Sequence, residues 1–184
     1  MAYEVEIKAH ADEGLKEKID AYTSQTGFPV IKEDTYYAFP GDVTPRFRIR
    51  RENDFLLISA KRNHREGGLE CNEELEFRHD NTDDQRVMED MAALLGYEVF
   101  IHKYKRGWSW MYGPVHIELL DVKHLGWFLE MEIISGKAGF EDNRENYDRL
   151  YEILYALGLD KNSVESKSYQ EMLRDWKNEM SVTR

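Results

Sequence analysis

The sequence predicts an α+β fold in which antiparallel strands close into a barrel and helices pack outside it. Strand-like runs of alternating polar and apolar residues are interspersed with four stretches that have helical spacing. On strand after strand, one face carries charges and the other face is apolar. These charges come in blocks of one sign, and a closed barrel can neutralise them by bringing opposite blocks together across its interior.

The first predicted strand shows this pattern. In "YEVEIKAH" at 3–10, the side chains of Glu4, Glu6 and Lys8 share one face of the strand and the apolar residues share the other. An open sheet with one face in water produces the same alternation. This strand alone therefore does not decide whether its charged row lies outside or inside the fold.

The remaining elements follow in chain order. We predict strands at residues 3–9, 33–39, 45–51, 54–61, 70–77, 98–105, 107–112, 114–120 and 126–135. "REND" at 51–54 and "REGG" at 65–68 predict hairpin turns. Apolar spacing predicts helices at 12–26, 83–95, 147–157 and 169–176, with Asp12 as an N-cap and Gly27, Gly96 and Gly158 as stops. No repeat or flexible linker interrupts this order, so we expect one domain over residues 1–184.

The composition limits the possible partners. The chain has 36 acidic and 25 basic residues and a formal net charge of −11, which argues against nucleic acid or an anionic membrane as a partner. The single Cys71 excludes an internal disulfide and is expected to be a small buried residue. No apolar run reaches the roughly 20 residues of a membrane span, and Met1 leads directly into a charged strand. We therefore expect a cytoplasmic monomer or homodimer.

The charged faces of the strands are blocks of one sign. They comprise Arg46, Arg48 and Arg50 in "PRFRIRR", Lys61 in "LLISAKR", Glu74 and Glu76 in "CNEELEF", Lys103 and Lys105 in "IHKYKR", and Glu130 and Glu132 in "WFLEMEII". Like charges two residues apart on a strand lie about 7 Å from each other, and this crowding is costly unless opposite charges or a ligand compensate it. Solvated faces would mix Lys, Glu, Asp, Thr and Ser instead. The blocks therefore favour charged rows that face each other inside a barrel.

This charge pattern predicts a chemistry. Several Arg and Lys side chains suit a polyanion such as a triphosphate, because a guanidinium can bind two phosphate oxygens at once. Clustered carboxylates would repel that ligand unless a hard divalent cation, Mg²⁺ or Mn²⁺, lies between them and the phosphates. Acids and bases in one tunnel therefore predict a metal together with a small triphosphate.

A set of motifs follows in order along the chain: E-x-E-x-K at residues 4–8, "DTYY" at 34–37, "RFRIR" at 46–50, "SAKR" around Lys61, E-x-E at 74–76, "KYK" at 103–105, "IELLDVKHLGWFLEMEI" at 117–133 and "KSYQEML" at 167–173. In this order they cover nearly the whole chain. By these motifs the chain resembles the CYTH superfamily, the triphosphate tunnel metalloenzymes named after class IV adenylyl cyclase and thiamine triphosphatase. The resemblance implies an eight-stranded antiparallel barrel that forms a tunnel, with basic residues holding a triphosphate and glutamates binding Mg²⁺ or Mn²⁺.

The resemblance and the charge pattern together give roles to individual residues. The predicted substrate-binding residues are Lys8, Arg46, Arg48, Arg50, Lys61, Lys103 and Lys105. The predicted metal ligands are Glu4, Glu6, Glu74, Glu76, Glu118, Glu130 and Glu132. Lys8, Lys61 and Tyr36 are the catalytic candidates.

Two positions depart from the family pattern. Lys105 stands where the family usually has an Arg, and Arg106 falls on the opposite face of that strand. The family's Asp falls on Leu120, and Asp121 points the other way, so Glu118 would carry the metal role on that strand.

Three functions fit these features. We favour hydrolysis of an inorganic or small organic triphosphate, with cyclisation of ATP to cyclic AMP and pyrophosphate as the alternative. A non-catalytic binder of polyphosphate or nucleotide is disfavoured, because an anion sensor has no use for so many buried glutamates. His64 and His116 are candidate proton donors. Trp108, Trp110 and Trp127 either stack on a ring of the substrate or pack beneath a helix, and we expect packing.

Overall fold

Eight antiparallel strands close into a barrel in the computed structural model, which describes residues 3–62, 65–66 and 69–182. The strands are β1 (Tyr3–His10), β2 (Phe28–Ala38), β3 (Phe47–Glu52), β4 (Phe55–Arg62), β5 (Arg65–Glu66), β6 (Leu69–His79), β7 (Glu98–Tyr112), β8 (Val115–Val122) and β9 (Gly126–Ser135). Around the barrel the order is β1-β9-β8-β7-β2-β3-β4-β6, and β6 pairs with β1 to close the ring. The short β5 pairs with β6 beside the ring. The predicted eight-stranded closed barrel is confirmed.

Strand β1 joins the two edges of the sheet. Lys8 lies opposite Glu130 on β9, and Glu4 lies opposite Asn72 on β6. Residues directly opposite each other in a sheet point to the same face. The register therefore aligns the polar rows of these three strands on one face and their apolar rows on the other.

Four helices pack outside the barrel, as predicted: α1 (Leu15–Thr23), α2 (Gln85–Leu94), α3 (Arg144–Ala156) and α4 (Tyr169–Val182). The main core lies between the barrel wall and the helices α1 and α3, and includes Val5, Ile7, Ile117 and Leu129 from the strands with Ile19, Leu150 and Leu154 from the helices. Burying each of these side chains stabilises the fold by about 1.5–3 kcal/mol. The apolar faces of the strands are thus outside, and their charged faces are left to the interior.

Two strands are longer than the sequence predicts. The runs at 98–105 and 107–112 form the single strand β7, which passes through Gly107. A Cβ at this glycine would lie 1.9 Å from the backbone oxygen of Leu119, so the strands approach each other here more closely than a side chain would allow. Strand β2 begins at Phe28 because its first residues pair with the far part of β7, where Phe28 lies opposite Ser109. The turn predicted at 65–68 falls partly outside the described residues.

Helix α1 is shorter than predicted. It begins after Gly14 with no side-chain cap, so Asp12 is not its N-cap. It ends before Ser24, which adopts a left-handed conformation with φ of 55°. Gly27 therefore does not stop the helix, and it makes room for Trp110, since a Cβ there would lie 2.4 Å from the indole ring. Gly96 and Gly158 follow α2 and α3 with φ of +86° and +85°, as predicted.

The tryptophans pack between the helices and the outer face of the barrel. The indole N–H of Trp110 donates to Asp20 Oδ1 at 2.9 Å, and Trp108 stacks on Trp127 with ring centroids 5.7 Å apart. The prediction of packing, not substrate stacking, is confirmed. Cys71 is free and buried, as expected. Within the described part of the chain, no helix combines the length and the apolar character needed to cross a membrane.

Candidate active site in the barrel interior

The charged rows of the strands line the inside of the barrel. The buried charged side chains are Lys8, Lys32, Asp34, Arg48, Arg50, Lys103, Lys105 and Glu118. Glu4, Glu6, Lys61, Glu74 and Glu130 are half-buried beside them. Removing a charge from water costs several kcal/mol unless it is paired and hydrogen-bonded. The partners of each charge therefore decide what this site can do.

Asp34 is the carboxylate at the centre of the arginine block. Arg50 donates to it from Nε at 2.6 Å and from Nη2 at 3.2 Å, and Lys103 Nζ lies 3.0 Å from Oδ2. Burial alone would raise the pKa of Asp34, but Arg50, Lys103 and Arg48 outweigh burial and hold that pKa well below its usual range. Asp34 is not among the predicted site residues. Its alternation with Tyr36 in "DTYY" is the signal that could have identified it.

Lys61 joins two of the predicted metal ligands. Its ammonium group contacts the Glu4 carboxylate at hydrogen-bonding distance and lies 3.2 Å from Glu74 Oε2. Burial lowers the pKa of Lys61, but Glu4 and Glu74 outweigh burial and raise that pKa well above its usual value. Lys61 is therefore a fixed positive charge between two carboxylates.

Glu6 has no comparable partner. Its carboxylate makes no hydrogen bond or ion pair with any residue that the structure describes, and burial together with the charge of Glu70 raises its pKa. Asn72 Oδ1, on the neighbouring strand β6, is buried and also lacks a hydrogen-bond partner among the described residues. The Glu6 carboxylate and the uncharged Asn72 amide oxygen are therefore two oxygens of the acidic wall without a hydrogen-bond donor among the described residues.

Glu130 binds a lysine and a tyrosine. Lys105 Nζ donates to both carboxylate oxygens of Glu130, at 2.8 and 3.0 Å, and the hydroxyl of Tyr169 donates to Oε1 at 2.6 Å. Burial would raise the pKa of Glu130, but Lys105 and Lys103 lower it. Tyr169, from the start of α4, is not predicted to reach the interior.

Lys103 is held by Tyr36. Its ammonium group donates to the Tyr36 hydroxyl at 2.8 Å. Burial lowers the pKa of Lys103 to about 8, although Asp34 opposes this change. Burial also lowers the pKa of Lys105 to about 8, against the charge of Glu130, so the charges of both lysines depend on their acidic neighbours.

Lys32 and His116 engage the remaining interior glutamates toward the other end of the barrel. Lys32 Nζ lies 2.5 Å from Glu118 and 3.5 Å from Glu52. The His116 ring is hydrogen-bonded to Glu132 at Nδ1 and to Ser109 at Nε2, both at 2.8 Å. Lys32 is a second interior residue that is absent from the predicted set, although it alternates with Asp34 on one strand. The other candidate histidine, His64, lies outside the described residues.

A cavity of about 330 Å³ opens at one end of the barrel. Arg48, Ser59 and Lys61 line its charged side, and Pro45, Phe47 and Phe100 line an apolar side. The Nε of Arg48 is buried and has no hydrogen-bond partner among the described residues. A donor of this kind, beside a cavity, is suited to an anion.

Two predicted site residues lie at the rim of this cavity and not in the interior row. Arg46 precedes β3, pairs with Asp42 at 2.7 Å, and leaves 56% of its side chain exposed. Glu76 is exposed and lies 3.9 Å from Arg48 Nη2. Strand β3 begins only at Phe47, so the alternation that places Arg48 and Arg50 inside does not extend to Arg46.

The carboxylates fit a hard divalent cation by their chemistry. Within the described residues no three Asp, Glu, His or Cys side chains already form a metal-holding cluster. Lys61 occupies the space between Glu4 and Glu74, and Asn72 Oδ1 is a buried oxygen without a hydrogen-bond partner among the described residues. Oxygen ligands of this kind are those that Mg²⁺ and Mn²⁺ prefer.

The two departures from the family pattern are as the alternation predicts. Leu120 is fully buried on the inner face of β8, next to Glu118 in the inward row. Asp121 lies on the outer face, 3.4 Å from Arg106. The carboxylate of Asp121 therefore does not replace the missing acid, and Glu118 remains the acidic residue of this strand in the interior.

Known proteins are similar to this chain in sequence and in fold. A model described as the CYTH domain matches residues 2–169. A protein of Methanocaldococcus jannaschii, provisionally named an adenylate cyclase, is 27% identical over 179 residues, covering 92% of this chain and 97% of its own. The solved structure of the PH1012 protein from Pyrococcus horikoshii has a TM-score of 0.76 and 24% identity, covering 91% of this chain and 98% of its own.

A second solved structure comes from Hippeastrum and is described as a provisional adenylyl cyclase that reveals a dominant triphosphatase activity. Its TM-score is 0.66 at 16% identity, and the match covers 95% of this chain and 96% of its own. At these identities the solved structures establish a common fold. The domain model extends over most of the chain, including every interior charge described above, and on this ground the chain belongs to the CYTH family.

Proposed function

We propose that this protein is a divalent-metal-dependent enzyme that hydrolyses an inorganic or small organic triphosphate inside the barrel. The observation that carries the proposal is the presence of basic and acidic side chains in one interior, with an unpaired Arg48 Nε at the cavity and an unpaired Glu6 in the acidic wall. A polyanion and a divalent cation would satisfy both. The triphosphatase activity named for the Hippeastrum protein agrees with this reaction class.

In this proposal the basic side chains of the barrel interior bind the phosphates. Arg48 offers a free N–H group at the cavity, and Lys61 lines the same cavity. Arg50 is largely neutralised by Asp34, so its role is to hold the carboxylate that fixes Lys103. Lys8 donates to the backbone oxygen of Lys167 at 2.6 Å and lies 4.0 Å from Glu70 Oε1, and its ammonium group would contact a phosphate oxygen as well.

Lys61 links the metal site to the phosphate site. It now neutralises Glu4 and Glu74, which with Glu6 and Glu130 are the carboxylates that would hold Mg²⁺ or Mn²⁺. When bound, such a cation polarises the phosphoryl group and stabilises the charge that develops on it. Lys61, which lines the cavity beside these carboxylates, would be the cation that contacts a phosphate oxygen.

Tyr36 links Asp34 to Lys103 in this proposal, because its hydroxyl donates to Asp34 Oδ2 at 3.4 Å. Burial and the charge of Asp34 raise its pKa, so its hydroxyl stays protonated at neutral pH. It accepts a hydrogen bond from Lys103 and lines the cavity. Lys8 and Lys61 remain the candidates for orienting the attacking water, and catalysis would consist of positioning and charge stabilisation.

Cyclisation of ATP is the second candidate, and the apolar side of the cavity favours it. Pro45, Phe47 and Phe100 offer a surface on which a base could rest while its phosphates enter the charged interior. The name of the Methanocaldococcus relative agrees with this alternative.

The test is incubation of the protein with tripolyphosphate, thiamine triphosphate or ATP in Mg²⁺ or Mn²⁺. Released phosphate and cyclic AMP are measured separately, and the same reactions with a chelator serve as controls. We expect metal-dependent phosphate release from at least one of the three. Tight triphosphate binding without any turnover would instead support a non-catalytic binder.

A further inference from the structure

The side chain of Tyr169 enters the barrel interior from the first turn of α4. Three lysine ammonium groups surround its ring: Lys8, Lys103 and Lys105 have their Nζ atoms 4.8, 4.9 and 5.0 Å from the ring centroid. Its hydroxyl donates to Glu130 Oε1 at 2.6 Å. One aromatic side chain therefore contacts charged groups from β1, β7 and β9.

Apolar packing fixes the ring in this place. Tyr169 is buried and meets Phe128 edge to face with centroids 5.1 Å apart, in a cluster that also contains Val122. One helical turn later, Leu173 packs against Tyr36 and Ile101. The start of α4 is thus anchored at two points of the barrel.

The segment before α4 is tied to β1. Val164 forms an isolated bridge with Ala9, and the amide of Glu165 donates to the backbone oxygen of Lys8 at 2.7 Å. The ammonium group of Lys8 returns a hydrogen bond to the Lys167 carbonyl at 2.6 Å. These contacts hold the segment as a permanent wall of the interior, not as a lid.

The three ammonium groups lie around one ring and repel one another, although Lys103 is paired with Asp34 and Lys105 with Glu130. The negative face of an aromatic ring attracts an ammonium group within about 6 Å, and the attraction is larger where water is excluded. A single ring in contact with three ammonium groups keeps them at fixed distances without neutralising them. A carboxylate in its place would cancel charge that a triphosphate needs.

We propose that Tyr169 is a positioning residue for the triphosphate: its ring sets the spacing of the three lysine ammonium groups, and its hydroxyl orients Glu130. The inference rests on the proposed function and extends it to the C-terminal helix. The proposed effect of Tyr169 on the lysines depends on the π face of the ring. This dependence distinguishes the effect from packing alone.

The experiment replaces Tyr169 with phenylalanine and with phenylalanines that carry increasing numbers of ring fluorines. Fluorination withdraws electron density from the π face and changes the shape of the ring little. Binding of tripolyphosphate to the metal-free protein is measured by titration calorimetry. We expect phenylalanine to retain binding within about threefold, and we expect each further fluorine to weaken it, reaching about tenfold or more for the fully fluorinated ring.

Tyr169→Met supplies a second variant, which fills similar space without a ring, and it should raise KM for tripolyphosphate more than it lowers kcat. The matched control is Tyr151→Met. Tyr151 has Lys161 Nζ 5.0 Å from its ring centroid on the outside of the protein. We expect the control to bind tripolyphosphate as the wild type does.

Failure of the inference and failure of the proposed function differ in the behaviour of the wild type. If the wild type binds tripolyphosphate and its affinity is unchanged across the fluorinated series, the role of the ring is overturned. Equal losses of affinity in the phenylalanine and methionine variants would overturn that role too. Wild-type protein that binds tripolyphosphate neither without metal nor with Mg²⁺ would overturn the proposed function and this inference together.

Discussion

The guanidinium of Arg50 and the carboxylate of Asp34 form a two-point hydrogen-bonded pair inside the barrel, with donor–acceptor distances of 2.6 and 3.2 Å. Lys103 and Arg48 approach the same carboxylate at 3.0 and 3.9 Å. One acidic group therefore compensates most of the arginine block. This arrangement makes Asp34 central to stability, although it is not itself suited to bind a phosphate.

We expect Asp34→Asn to destabilise the fold by about 3–5 kcal/mol, because it leaves buried basic groups without their counter-charge. Urea unfolding at neutral pH measures the change. Asp121→Asn is the control, since Asp121 faces Arg106 on the exposed outer side at 3.4 Å and such a pair contributes about 0–1 kcal/mol. Equal effects of the two substitutions would contradict the central role of Asp34.

The same carboxylate predicts a loss of stability in acid. The pKa of Asp34 in the folded protein lies well below its value of about 3.9 in an unfolded chain. Its stabilising contribution is therefore complete above that unfolded value and is lost as the pH falls through the folded value. We expect the wild type to lose more stability than Asp34→Asn between about pH 5 and pH 2, as measured by urea unfolding at each pH. Parallel losses would contradict this assignment.

Glu6 should have the opposite effect on stability. Burial and Glu70 raise its folded pKa, so ionised Glu6 costs free energy at pH values above the unfolded value of about 4.3, and this cost disappears in acid. We expect Glu6→Gln, without metal, to raise Tm by a few degrees at pH 7.5 and to leave it unchanged below about pH 4. The substitution should also abolish most metal-dependent turnover.

Glu73→Gln is the control for Glu6→Gln. Glu73 lies on the other face of its strand, 3.1 Å from Arg62. It should change neither turnover nor the pH dependence of Tm. A lower Tm for Glu6→Gln at neutral pH would show that the Glu6 carboxylate is stabilised by contacts that we have not assigned to it.

The basic residues at the cavity should differ in their contributions to binding. Arg48→Met and Lys61→Met each remove a charge-assisted contact of about 1.5–3 kcal/mol, so affinity for tripolyphosphate should fall about ten- to a hundredfold. Arg46→Met should have a much smaller effect, because Arg46 is exposed at the rim and already paired with Asp42. Titration calorimetry compares the three variants. An equal loss of affinity in all three variants would show that Arg46 also binds the triphosphate.

Alternation along the strands predicts which side chains share a face, and the blocks of one sign together with the family resemblance predict that these faces lie inside a barrel. Side chains two apart on a strand share a face, so the amino-acid pattern alone places Glu4, Glu6 and Lys8 together. Lys32 and Asp34 also share one face of their strand. A search for blocks of one sign misses them, because their charges are opposite. They alternate with each other in sign, as an ordinary solvated strand would.

Tyr169 cannot be placed by this reasoning. Its position depends on how α4 packs against the end of the barrel, and helical periodicity gives the apolar face of a helix but not the element that this face meets. Similarly, Arg46 fits the alternation of its strand in the sequence. In the structure the strand begins at Phe47, two residues later than predicted, and an ion pair with Asp42 holds the Arg46 side chain outside.

The last prediction concerns the choice between hydrolysis and cyclisation. Cyclisation requires the ribose hydroxyl of ATP to be held in line with the α-phosphorus, which needs a firm seat for the base as well as the phosphates. Trp108 and Trp110 are excluded from that role because they pack outside the barrel, and the apolar side of the cavity is left to Pro45, Phe47 and Phe100. Hydrolysis needs only the charged interior and a water molecule. We therefore expect phosphate release from tripolyphosphate or another small triphosphate to exceed cyclic AMP formation from ATP, as measured in parallel assays with Mg²⁺ and Mn²⁺.

Phe100→Ala should leave turnover of tripolyphosphate unchanged, because that substrate has no organic group to rest on the ring. Cyclic AMP formed faster than phosphate is released from any triphosphate, together with its loss in Phe100→Ala, would assign the cyclase reaction and make the apolar side of the cavity the base site.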